Sequence, residues 1–131
     1  MIYTATTHKY VFYYQDGNVY FCAADIGWVT GHSYIVYGPM SNGATTIMLE
    51  AIPTYPNPDR YWQTIEKWTV TQFSTAPTAL RAIAAARAPS PPQSQIPSFP
   101  LLGPLGEPTN TQDRRWSTTH APKHTSPPAP N

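Results

Sequence analysis

Short apolar runs alternate along residues 19–84 with stretches whose apolar positions recur at helical spacing. Val19-Tyr20-Phe21-Cys22-Ala23 is an unbroken apolar run, the pattern of a strand buried on both faces. Asp25-Ile26-Gly27-Trp28 turns the chain into a helix predicted over about 31–40, with Thr30 as its N-cap and Gly43 ending it. Residues 44–49, with two threonines and an isoleucine, read as a second strand, followed by the loop Pro53-Thr54-Tyr55-Pro56. Asn57 before Pro58 opens a helix on which Tyr61, Trp62, Ile65 and Trp68 share one face. Residues 70–75 give a third strand, Pro77 opens an alanine-rich helix striped by Leu80, Ile83 and Ala84, and Leu101-Leu102-Gly103 is a last apolar piece.

This alternation predicts an α/β chain with a partial parallel sheet and right-handed crossovers. Binding chemistry in such sheets gathers at the C-terminal ends of strands, which selects the loops at 25–30, 53–56 and 103–108. Few strands and helices are available to cover a sheet that needs both faces covered. One edge and one apolar face, including Trp62 and Trp68, are therefore expected to lack cover and to favour self-association through the sheet edge.

Composition divides the chain near Arg87. Eleven of the sixteen prolines follow it and fifteen of the seventeen aromatics precede it. Residues 1–87 have enough apolar surface to offset chain entropy, whereas residues 88–131 form a Pro/Ser/Thr-rich tail expected to be mostly disordered. With 11% charged residues and a formal net charge of +1, the chain lacks the electrostatic footprint of a nucleic-acid or anionic-membrane binder. No apolar run approaches the ~20 residues that span a bilayer, and no secretory h-region is visible at residues 1–10. The lone Cys22 lies in an apolar run and reads as a buried thiol, so a cytoplasmic location is expected.

Phosphate-loop, dinucleotide, nucleophile-elbow and C-x-x-C motifs are absent. His120 and His124 have a zinc-finger spacing, but Cys22 far upstream does not complete a tetrahedral set, and no metal site is expected. His32 reads as an ordinary hydrogen-bonded histidine. The proline spacings at Pro89-Ser90-Pro91-Pro92 and Pro97-Ser98-Phe99-Pro100 are short enough to arise by chance in such a tail.

The loops themselves carry more. Asp25-Ile26-Gly27-Trp28-Val29-Thr30-Gly31-His32-Ser33-Tyr34, Tyr37-Gly38-Pro39, Gly43-Ala44-Thr45-Thr46 and Gly103-Pro104-Leu105-Gly106-Glu107-Pro108 closely resemble successive segments of AMP-forming acetyl-coenzyme A synthetases. Pro53-Thr54-Tyr55-Pro56, Ile65-Glu66-Lys67 and Val70-Thr71-Gln72-Phe73 fit the same register, so the match runs from about Thr7 to Ala82 and returns over 101–110. The resemblance makes residues 1–87 part of an adenylate-forming domain. It implies an acyl pocket at Val29, Thr30 and Leu105, coenzyme A contacts at Thr30 and Thr54, and an adenine-binding segment at Gly106, Glu107 and Pro108. Short stiff walls suit a small acyl group, and glycine lets backbone approach a flat base.

In that family acetate attacks the α-phosphate of ATP with Mg2+ present, giving acetyl-adenylate and pyrophosphate, and coenzyme A then takes the acetyl group. The family's phosphate loop, ribose-binding acid and catalytic lysine have no counterpart in these residues, so the resemblance implies an acetate:CoA ligase section that is inactive by itself and holds none of these ligands tightly. Pro104 stands where a serine is usual, Leu105 where a valine is usual, and residues 117–131 match nothing. The rival reading is a non-catalytic binding or scaffold protein that uses the α/β piece and presents the proline-rich tail.

Overall fold

In a computed structural model of the chain, the structure describes residues 1–86 and 101–104. The expected tail disorder, the stretch from Leu105 to Pro108, and His120 and His124 lie outside the described residues. Four strands, β1 (Val19–Cys22), β2 (Thr45–Ile47), β3 (Gln72–Thr75) and β4 (Leu101–Pro104), form one sheet in the order β2-β1-β3-β4. Every neighbouring pair is parallel. Tyr20 and Phe21 of β1 face Thr46 and Ile47 on one side and Gln72 and Phe73 on the other. The expected parallel α/β architecture is therefore present, and β4 carries the sheet past the compositional break at Arg87.

Because side chains alternate along a strand, β1 feeds two cores. Phe21 points into a cluster with Phe73, Val70, Tyr61 and Ile65 of α4 (Arg60–Lys67), and Ile83 of α5 (Pro77–Ala86). Tyr20 and Cys22 point the other way, onto Phe12 and Ile35. Full burial of each large apolar side chain contributes roughly 1.5–3 kcal/mol.

The second core is closed by a helix the sequence pattern does not predict, α1 (Ile2–Val11). The region expected to be one helix over 31–40 is instead three pieces: α2 (Val29–Gly31), a π-helical turn (His32–Tyr37) and α3 (Gly38–Ser41). Pro39 has no N–H with which to continue an α-helical ladder, and the wider turn is taken up just before it, with the Gly38 N–H reaching Ser33 O. Thr30 is not the N-cap. Trp28 holds the extended cap conformation, and its carbonyl accepts from the His32 N–H at 3.1 Å. Gly43 ends α3 as expected, at a φ of +66°.

Two expectations for the helix after the Pro53 loop also change. It begins at Arg60 rather than at Pro58, with Asp59 as its N-cap. Trp62 is half-buried and meets the Phe73 ring edge-on at 6.0 Å, whereas Trp68 follows the helix and is exposed, with Lys67 Nζ 5.0 Å from its ring. Trp68 is the C-cap of α4, at φ −104° and ψ 9°, and so falls outside the helical turn that sets the face of Tyr61, Trp62 and Ile65. Among the described side chains, α4 and α5 pack on one face of β1 and the α1 end and π-helical turn on the other, so β1 itself has no bare face.

α1 is held to α3 by a buried polar knot. Asn42 Nδ2 donates to Ala5 O at 2.8 Å and Gly38 O at 3.1 Å, which fixes the amide's orientation, and it lies 3.1 Å from His8 Nδ1. The amide's two protons serve these two carbonyls, and His8 Nδ1 is the third polar atom at the amide nitrogen. Nε2 has no hydrogen-bond partner. The ring packs edge-on to Tyr20 at 4.7 Å and against Tyr14 at 5.1 Å, aromatic surroundings that a neutral imidazole tolerates. Burial lowers the His8 pKa from 6.5 to about 4. A Cβ at Gly38 would lie 2.9 Å from both Thr4 O and Ser33 O, so only glycine admits this approach of α1.

Candidate functional site

The loops after β1 and β2 leave the same edge of the sheet, and between them lies a cavity of about 570 Å³. Its walls are Ala23, Ala24 and Ile26 from the first loop and Met48, Leu49, Ile52 and Pro53 from the second. Ile35 closes it from the π-helical turn and Tyr61 from α4. Asp25 and Glu50 bring carboxylates to the lining, and Cys22 ends β1 beside them.

The first loop is tightly built. Asp25 Oδ1 accepts from the Gly27 N–H at 2.7 Å, and the Asp25 carbonyl accepts from the Trp28 N–H at 3.1 Å. A Cβ at Gly31 would overlap that carbonyl and Ile26 Cα, so glycine is required where α2 folds back on the loop. Burial pushes the Cys22 thiol up to about 11 and raises the Tyr61 phenol, leaving both protonated and neutral near pH 7. Among the described residues no three His, Cys, Asp or Glu side chains come together as a metal site, and no helix is long and apolar enough to cross a membrane. The slot is apolar over most of its wall, with two carboxylates and no basic side chain in its lining.

The residues singled out from the sequence stand around this cavity rather than in its wall. Val29 is exposed and Thr30 half-buried at the start of α2, just beyond the Asp25 loop. Thr54 is exposed directly after the wall residue Pro53, ahead of the cis Tyr55–Pro56 bond. Leu105, Gly106, Glu107 and Pro108 are outside the described residues, but β4 ends at Pro104 opposite Thr75, at the same C-terminal edge. Cys22, Ile35, Glu50 and Tyr61 were not anticipated. The strand-end rule points toward Cys22 and Glu50, while Ile35 and Tyr61 arrive from helices on opposite faces and leave no local signal.

A parallel sheet with helices on both sides of β1 and a cavity at its C-terminal edge places the chain among α/β folds, whose ligand sites gather at strand ends. The family model described as AMP-binding enzyme matches residues 1–125, and the chain belongs to that family. It is 55% identical over 113 residues to an acetyl-coenzyme A synthetase of Alcanivorax borkumensis, covering 86% of this chain and 18% of that protein. It is 50% identical over 120 residues to an acetyl-coenzyme A synthetase of Dictyostelium discoideum, covering 92% and 18%. The fold superposes on an acyl-CoA synthetase of Brucella canis with a TM-score of 0.78 and 26% identity, covering 91% of this chain and 21% of that one. The chain thus corresponds to one section, about 18% of the length, of these relatives.

Proposed function

We propose that this section carries the acyl and coenzyme A side of an acetate:CoA ligase site. The observation that supports it is the cavity between the loop leading to Val29 and Thr30 and the loop ending at Thr54. In this reading the uncharged pantetheine arm of coenzyme A lies in the slot, with Thr54 at its outer end and Thr30 at the neck where the thiol meets the acyl group. Val29, Thr30 and Leu105 wall the acetyl group, and Gly106, Glu107 and Pro108 lie along the adenine. Asp25 and Glu50 suit neither phosphate nor a departing anion, which fits the neutral arm rather than the nucleotide end.

In the whole enzyme, acetate's carboxylate oxygen bonds to the α-phosphorus of ATP as the bond to pyrophosphate breaks. The coenzyme A sulfur then bonds to the acetyl carbon and AMP departs. Such chemistry rests on fixed positive charge around the phosphates, and the family's phosphate loop and catalytic lysine have no match in these residues. The chain alone is therefore a binding section without turnover, and a cytoplasmic setting suits these substrates.

A chimera tests the reading: residues 7–110 of this chain replace the matching section of the Alcanivorax borkumensis relative, and acetate-dependent AMP release is followed. The chimera is expected to turn over, with Thr54→Arg raising the KM for coenzyme A at least about tenfold while acetate-dependent pyrophosphate exchange, which needs no coenzyme A, is unchanged. An unchanged KM, or equal loss of both activities, overturns the assignment.

A further inference from the structure

Past β1 the sheet releases the chain, and the loop that follows is held by its own contacts. The Ala23 N–H still donates to Ser74 O at 2.8 Å, whereas the contacts that shape residues 25–31 meet at Asp25. Asp25 Oδ1 accepts from the Gly27 N–H at 2.7 Å, and the Asp25 carbonyl accepts from the Trp28 N–H at 3.1 Å. Gly31, which is buried, packs against the same carbonyl so closely that no Cβ fits between them. Val29 and Thr30 lie between Trp28 and Gly31, so the chain is tied to Asp25 on both sides of them. The Trp28 carbonyl in turn accepts from the His32 N–H at 3.1 Å and carries the turn into the π-helical segment that brings Ile35 to the cavity.

On the reading that Val29 and Thr30 wall the acetyl group, we propose that Asp25 is a positioning residue whose carboxylate, by holding the Gly27 N–H, sets these two walls and with them the choice of acyl group. A carboxylate accepting from a backbone N–H makes one of the stronger hydrogen bonds. Alanine at this position would keep the carbonyl contacts but release the Gly27 N–H, and glycine has no side chain of its own to stiffen the turn. Asparagine keeps the side-chain acceptor and forms the same kind of turn without the charge. It therefore separates the hydrogen bond from the negative charge that Asp25 also brings to the cavity lining. Acetate and propionate differ by one methylene, which a fitted pocket turns into roughly 10- to 200-fold discrimination.

The test is pyrophosphate exchange by the chimera described above, comparing kcat/KM for acetate with kcat/KM for propionate. Asp25→Ala is expected to lower the preference for acetate at least about fivefold, because loosened walls discriminate less. Asp25→Asn should hold the preference within about twofold of the parent chimera, since the acceptor remains. A preference that does not fall in Asp25→Ala, or an Asn variant that falls as far as the Ala variant, overturns the role. So does an equal loss of exchange with both acids, which is what fewer folded molecules give. Failure of the acyl and coenzyme A reading shows separately, in an unchanged KM for coenzyme A on Thr54→Arg. A parent chimera without exchange removes both.

Discussion

On the α4/α5 side of the sheet the core cluster is aromatic and aliphatic: Phe21, Phe73, Tyr61, Ile65 and Ile83, with Phe21 and Phe73 rings 5.1 Å apart. One residue along the same strand, the α1 side meets a different environment. There the aromatic packing of Tyr20 and Phe12 is threaded by His8, Asn42 and Gln72, whose Nε2 donates to Phe12 O at 2.6 Å. The core cluster of the first side is held by non-directional burial. The second is held by donors and acceptors that must keep one protonation state. A single strand thus joins an aromatic and aliphatic core to one threaded by directional hydrogen bonds.

The largest expected effect strikes the apolar side. Phe21→Ala should cost about 3–5 kcal/mol and abolish cooperative unfolding of the whole chain, because β1 is shared by both cores. If the near-UV signal of the tyrosines around α1 survives that change, the two sides are independent and the comparison fails.

Next comes the polar knot. Asn42→Ala removes the donor shared by Ala5 O and Gly38 O beside His8 Nδ1, and should cost about 1–3 kcal/mol. Hydrogen exchange should show the loss in α1 first and in α4 least. A uniform loss would deny that α1 opens separately.

A smaller effect follows from pH. The folded chain keeps His8 neutral down to about pH 4, whereas the unfolded chain takes up the proton near 6.5. Between those values the unfolded state binds more protons, so this contribution is complete above pH 6.5 and is lost as pH falls toward 4. Below that both states are protonated and the loss stops growing. His8→Phe should flatten the melting temperature over this window relative to the wild type. Parallel profiles for the two proteins would remove His8 from the account.

The smallest effect separates two tryptophans that look alike in the sequence. Trp68→Ala should change stability by no more than about 0.5 kcal/mol, as exposed substitutions do, while Trp62→Ala, losing its contact with Phe73, should cost several times that. Equal costs would mean that Trp68 is covered in solution.

The legible parts of the fold were those whose residues announce their own period. The buried run at β1, the glycine at Gly43 and the face of Tyr61, Trp62 and Ile65 could be read directly, and the wording of the loops gave the family. α1 could not be read in this way. It contains four β-branched residues in its first six and no side-chain cap, and its threonine hydroxyls turn back to backbone carbonyls, as Thr6 Oγ1 does to Ile2 O at 2.9 Å. Docking on Gly38 and Asn42 makes it a helix, not propensity. The split of the 29–41 region depends on Pro39 acting at a distance along the ladder, and the cavity depends on Ile35 and Tyr61 meeting across a sheet, neither of which a local pattern encodes.

The strand order has a bearing on how the chain reaches this state. β1 sits at the centre of the sheet, but its inner neighbour β3 is made only after β2, α4 and the intervening loops have been synthesised. At ribosomal speeds of about 5–20 residues per second, β1 spends seconds as a wholly apolar segment before that neighbour exists. The pairing it awaits is long-range and parallel, the slowest kind to form. The yield of folded chain should accordingly rise with slower translation between Cys22 and Gln72 or with a chaperone that shields Tyr20 and Phe21, and depend far less on events after α5.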